Sequence, residues 1–105
     1  MKIHILKIHP EYFKKVWDRE KTFELRKNDR DFRAGDALIL KEFPDNKKYG
    51  IRSIGANICY ILEHYDGIEE GYCILQLNNI INNNILESKD VVLEVKLWTK
   101  NYKKF

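Results

Sequence analysis

Glycine and proline are sparse in this chain. Five Gly and two Pro among 105 residues exclude a collagen-like or linker-like polypeptide. Long apolar runs are missing as well. None approaches the roughly 20 residues that cross a bilayer, and the opening MKIHILKIHPEYF lacks the apolar stretch of a secretory signal. A cytoplasmic protein without a membrane partner is the expectation. Cysteine is limited to Cys59 and Cys73, with no C-x-x-C and no metal spacing. Both lie in strand-like apolar contexts and are expected as reduced, buried thiols. No G-x-G-x-x-G, P-loop, H-E-x-x-H or G-x-S-x-G occurs, which removes the familiar phosphate-loop, zinc-protease and serine-hydrolase signatures. His4, His9 and His64 are scattered. Nothing implies a metal or a cofactor.

What the chain does have is 44% apolar residues and 12% aromatics, enough for one core in a single small domain. The net charge is only +3, too small to establish nucleic-acid binding by itself. Its distribution is uneven. Residues 1–50 carry 13 Lys/Arg against 9 Asp/Glu, and residues 51–105 carry 6 against 7. Glu63, Asp66, Glu69 and Glu70 form an acidic stretch; Lys96, Lys100, Lys103 and Lys104 form a basic tail. Local basic patches fit this pattern better than a uniform basic groove.

Along the chain, residues 2–8 alternate as a strand, with Ile3, Ile5 and Lys7 on one face and His4, Leu6 and Ile8 on the other. Pro10 and Glu11 open a short amphipathic helix, PEYFKKVWDRE, in which Trp17 is in phase with Phe13 and belongs to the core. KTFELRKN, ALILKEF (37–43), IRSIGANICYIL (51–62) and YCILQL (72–77) read as strands, with a bulge or kink at Gly55. PDNKKYG (44–50) reads as a hairpin connection and residues 63–71 as a polar loop. The Asn-rich run 78–90 reads as a connector with a weak helical or turn element, because Asn at this density favours turns and left-handed conformations. VVLEVKLW (91–98) returns to strand. The expected fold is α+β, mainly β: a small, strongly bent sheet closed into a barrel, with one helix after the first strand. Residues 1–77 form the barrel; residues 78–105 add the connector, the extra strand and the basic tail.

The informative segment is Lys21 to Arg30. Strand alternation puts Thr22, Glu24, Arg26 and Asn28 on one side of Phe23 and Leu25. Such a polar row must face water or a cleft, since burial without partners costs several kcal/mol. With Lys21 leaning over the corner, a carboxylate stands between two cations. That cluster suits a structural ion-pair network, a site for a planar polar ligand, or acid–base chemistry. In the ligand reading Arg26 and Lys21 hold phosphate or a carbonyl, and Glu24 reads a donor edge.

The run LKIHPEYF…KTFELRKNDRDFRAGDALILKEF, with Gly50, Arg52, Gly71, Tyr72 and Leu75 beyond it, resembles the ASCH domains of the PUA-like superfamily. It is most similar to the DUF3850 family of bacteria and their phages, over about residues 2–77. The resemblance implies a PUA-like β-barrel with a cleft beside the first helix, RNA or modified nucleotides as ligands, and a relation to small amidohydrolases acting on acylated cytidine. By position Lys21 matches the essential Lys of those hydrolases, but Glu24 falls where they carry a Thr nucleophile, and Thr22 is only adjacent. Relatives place Gly where this chain has Arg19, which would then add positive charge at the cleft mouth.

The expected ligand-binding set is Lys7, Lys21, Thr22, Glu24, Arg26, Asn28 and Arg52. Lys21 and Glu24 are the catalytic pair if the protein is an enzyme, either an amidohydrolase or a ribonuclease. Tyr49 and Arg52 could stack on a base, and Trp98 suggests a homodimer contact through the last strand. The leading expectation is binding of RNA or a nucleotide-like ligand. The rivals are a small hydrolase and a phage or bacterial protein-interaction factor using the C-terminal extension.

Overall fold

Residues 1–44 and 51–85 are described by the structure, a computed structural model. Strand β1 (Ile3–Ile8) has its burial alternating residue by residue, with His4, Leu6 and Ile8 turned inward. Helix α1 (Pro10–Trp17) begins directly after it. Pro10 occupies the first turn, where its missing N–H costs nothing, and Glu11 suits the positive end of the helix dipole. Phe13 and Val16 are the buried residues of α1; Trp17 is half-buried and packs against the edge of the core.

The helix ends in a left-handed residue, Arg19, at φ 64°. The Glu20 N–H reaches back to the Lys15 carbonyl at 2.8 Å and the Arg19 N–H to the Val16 carbonyl at 3.0 Å. This is a C-terminal motif that glycine usually completes. A side chain here costs on the order of 1–2 kcal/mol. Arg19 offsets that by capping: its Nη1 donates to the Val16 and Trp17 carbonyls and to Asn82 Oδ1, and its Nη2 donates to the Ile80 carbonyl. Arg19 therefore faces the far end of the sheet and does not line the cleft.

Three more strands follow β2 (Phe23–Lys27): β3 (Ala37–Glu42), β4 (Ile51–Leu62) and β5 (Tyr72–Ile85). They form one five-stranded sheet in the order β1-β3-β4-β5-β2. The β1–β3 pair is parallel and the others are antiparallel. The sheet curls until its two end strands approach each other. Arg26 Nη2 of β2 donates to the Lys7 carbonyl of β1 at 2.9 Å, and Arg30 Nη1 donates to the Ile5 carbonyl at 3.1 Å. The expected closed barrel is thus a half-barrel. Among the described residues its two edges are joined by guanidinium groups and not by a ladder. The concave side holds the core, including Leu6, Phe13, Leu38, Leu40, Ile54, Ile58 and Leu75, each worth about 1.5–3 kcal/mol by burial.

The Asn-rich segment is a strand as far as Ile85, not a connector. Its register explains why the expectation failed. Gly55 pairs with Ile81 but Asn57 pairs with Asn78, so β5 carries one extra residue there. Asn79 sits in that bulge at φ 51°, and its amide donates to Asn57 Oδ1 at 3.1 Å. Asn does adopt the left-handed conformation, but as a bulge inside a continuing strand. A second shift places Cys59 in a bulge on β4. That makes Cys59 exposed, against the expected buried thiol; Cys73 is buried and both are free. The hairpin residues 45–50, the strand expected over 91–98, Trp98 and the basic tail lie outside the described residues.

Candidate ligand-binding cleft

Strand β2 is turned opposite to the usual pattern for a strand with one apolar face. Phe23 and Leu25 are 46% and 58% exposed, whereas Glu24 is 3% exposed. The polar row faces inward because its carboxylate has partners. Lys21 Nζ donates to Glu24 Oε1 at 2.6 Å, and Arg26 Nε donates to Glu24 Oε2 at 3.1 Å. A buried carboxylate so paired keeps its charge at tolerable cost. Lys21 is held from other sides too, its ammonium lying 5.4 Å from the ring centres of both Tyr12 and Phe23, a cation–π arrangement. Arg26 is fixed at two points, by Glu24 and by the Lys7 carbonyl.

This cluster forms the floor of an open cleft of about 760 Å³. One wall is the end of β1 and the first turns of α1, with Lys7, Ile8, His9, Tyr12 and Lys15; the other is β2 (Phe23–Lys27) with Glu20 and Lys21 on its approach. Among the lining side chains Lys7, Lys15, Lys21, Arg26 and Lys27 are cationic, while only Glu20 and Glu24 are acidic. The cleft is therefore electropositive with aromatic walls. Lys7 and Lys15 are exposed; the Lys7 ammonium also lies 4.8 Å from the centre of the Phe43 ring.

Of the expected site residues, Lys7, Lys21, Glu24 and Arg26 converge on this cleft, and Thr22, Asn28 and Arg52 do not line it. The Thr22 carbonyl accepts from the Leu77 N–H at 2.9 Å. Asn28 ties two loops together, donating to Glu63 Oε2 at 3.0 Å and accepting from the Phe32 N–H at 3.3 Å. Arg52 pairs with buried Glu42 at 2.6 Å and lies over the Phe13 and Trp17 rings at 5.1 and 5.2 Å. It serves the packing of α1, which is why a cation flanking the hairpin does not become a ligand group. Tyr12, Lys15, Phe23 and Lys27 were missed as cleft residues. The available signal was adjacency: Tyr12 is one helical step from buried Phe13, and Phe23 alternates with Glu24.

His4 is buried at the opposite end of β1. Its Nε2 hydrogen-bonds Asp36 Oδ2 at 2.9 Å, and its ring stands edge-on to Phe32 at 4.7 Å. Asp36 also accepts from the Lys2 and Arg33 backbone N–H groups, each at 3.0 Å. Burial pushes the Asp36 carboxyl upward, but the hydrogen bonds from His4, Lys2 and Arg33 outweigh it and hold it below the ordinary aspartate value. Burial, with Glu63 adding to it, pushes the Cys73 thiol up. No group of three or more His, Cys, Asp or Glu among the described residues could hold a metal ion. No helix among them is long and apolar enough to cross a membrane.

Fold and cleft together define a mainly β, α+β protein: a curled half-barrel with one short helix and a basic, aromatic-walled hollow at its seam. The chain belongs to the family described as domain of unknown function (DUF3850), which it matches over residues 3–77. It is similar to the "Uncharacterized 12.9 kDa protein in GpA 3'region" of Escherichia phage P2, at 38% identity over 69 residues. That match covers 66% of this chain and 62% of the phage protein.

Proposed function

We propose that this half-barrel is an ASCH-type member of the PUA-like superfamily, and that its cleft binds RNA or a nucleotide-like ligand. The observation that carries the reading is the cleft itself. Five cations and two carboxylates surround a hollow whose exposed rings, Tyr12 and Phe23, flank a fixed ammonium. Anions suit the surplus charge, and a planar ring suits the aromatic walls. Nucleotides join both features. Its volume falls in the range of small-molecule sites, roughly 300–1,000 Å³.

The hydrolase reading has less support. Glu24 is held in two ion pairs where a hydroxyl nucleophile would be needed, and Thr22 lies outside the cleft lining. The protein-interaction reading leans on residues outside those described.

The test is fluorescence anisotropy with labelled single-stranded RNA against added salt. Three phosphates held by Lys7, Lys15 and Lys27 give a log–log slope of about −2, at roughly −0.7 per contact. Replacing the three rim lysines by Ala should flatten that slope and leave the melting temperature close to wild type, since they do not pair with Glu24. Equal, negligible binding of single-stranded RNA, duplex RNA, DNA and mononucleotides at low salt overturns the reading.

A further inference from the structure

The floor of the cleft offers donors and hides its acceptor. Glu24 is buried, and each of its oxygens already accepts from a cation. Both oxygens are committed to cations and the residue is only 3% exposed, so Glu24 braces the floor more than it reads a donor edge. Its role is to hold Lys21 and Arg26 in place. Arg26 commits Nε to Glu24 and Nη2 to the Lys7 carbonyl, and its Nη1 has no protein partner among the described residues. The Lys21 ammonium has three N–H donors, of which Glu24 takes one. Two fixed cations therefore present N–H groups into a space flanked by aromatic rings.

From this we propose that the cleft discriminates between nucleobases by their exocyclic group. It accepts the bases with a keto oxygen at purine C6 or pyrimidine C4, guanine, hypoxanthine and uracil, and rejects adenine and cytosine, which carry an amine at that position. A keto oxygen accepts from Arg26 Nη1 or Lys21 Nζ. An exocyclic amine turned to the same floor puts donor against donor and leaves the Lys21 and Arg26 N–H groups covered by the ligand but unmatched. The exposed lysines 7, 15 and 27 are left for phosphate, so ring and phosphate do not compete for one cation. This inference rests on the nucleotide reading and adds the selectivity of the same site.

The cleanest probe changes the ligand and leaves the protein intact. Inosine and adenosine 5′-monophosphates differ at position 6 of the purine and at the adjoining N1. Calorimetric titration of the full chain with inosine, guanosine, uridine, adenosine and cytidine monophosphates should give the three keto nucleotides about tenfold tighter binding, the low end of a 1–3 kcal/mol discrimination. Arg26→Lys keeps the charge beside Glu24 but removes the free arm of the fork; it should shrink the inosine-to-adenosine ratio toward one while phosphate-driven affinity persists. Equal affinity for all five, or a preference for the amino nucleotides, overturns the selectivity and leaves nucleotide binding standing. No binding of any nucleotide or of RNA overturns both.

Discussion

Asp36 accepts three hydrogen bonds while almost fully buried. Its carboxyl is held below the ordinary value of 3.8, so the ionised form is favoured in the folded state. The stability it contributes is fully present above the unfolded value and lost as pH falls through the lower, folded one. Thermal melts between pH 7 and pH 3 should show Asp36→Asn less stable than wild type at pH 7, by about 1–3 kcal/mol. The gap should narrow below pH 4. A gap that stays constant to pH 3 would remove the carboxylate charge from the account. At this scale the sequence was half legible. Alternation put His4 on one face with Leu6 and Ile8, but nothing local pointed to Asp36, 32 positions away.

Among the elements, α1 is closed by an arginine where glycine would fit the backbone. Arg19→Gly relieves the left-handed strain but removes bonds to Val16, Trp17, Ile80 and Asn82; Arg19→Ala keeps the strain and loses the same bonds. Urea denaturation should therefore rank wild type above Gly and Gly above Ala, with Ala about 1–3 kcal/mol below wild type. If Gly proves the most stable, the capping role of the guanidinium fails. The order of the described elements and the helix were readable from periodicity and turn chemistry, whereas the bulge expected at Gly55 falls on the strand opposite, at Asn79 of β5. Two features were not readable. Alternation states which side chains share a face, not which face turns inward, so Glu24 could not be placed before its partners were known. Asn density signals left-handed backbone, but not whether one such residue ends a strand or only bulges it, as Asn79 does.

For the whole molecule, the feature to explain is a sheet whose two ends are fastened by side chains. Arg30 is exposed and holds the Ile5 carbonyl, while Arg26 holds the Lys7 carbonyl and braces Glu24. Arg30→Ala should cost about 0.5–1.5 kcal/mol, the net worth of one hydrogen bond. The loss should be local. Hydrogen exchange should quicken in the β1 amides and leave the β4–β5 pair near wild type. Equal acceleration across all strands would mean that the seam is no separate unit. The bent sheet was legible from short strands and few helices. Its failure to close was not, because the join depends on two arginines meeting backbone carbonyls 19 and 25 positions earlier, at the opposite edge of the sheet.

The chain visits the sheet out of spatial order, and this has a consequence for its synthesis. The ladder partner of Phe23 is Gln76, and that of Lys27 is Tyr72. A ribosome must therefore release the chain past Gln76 before β2 has its full ladder neighbour to join. Until then its inward-turned carboxylate stays in water beside its two cations, and the nascent chain can assemble only the β1–β3 and β3–β4 ladders. Among the described residues the cleft, bounded by β2, is accordingly assembled late, together with the β4–β5 pair.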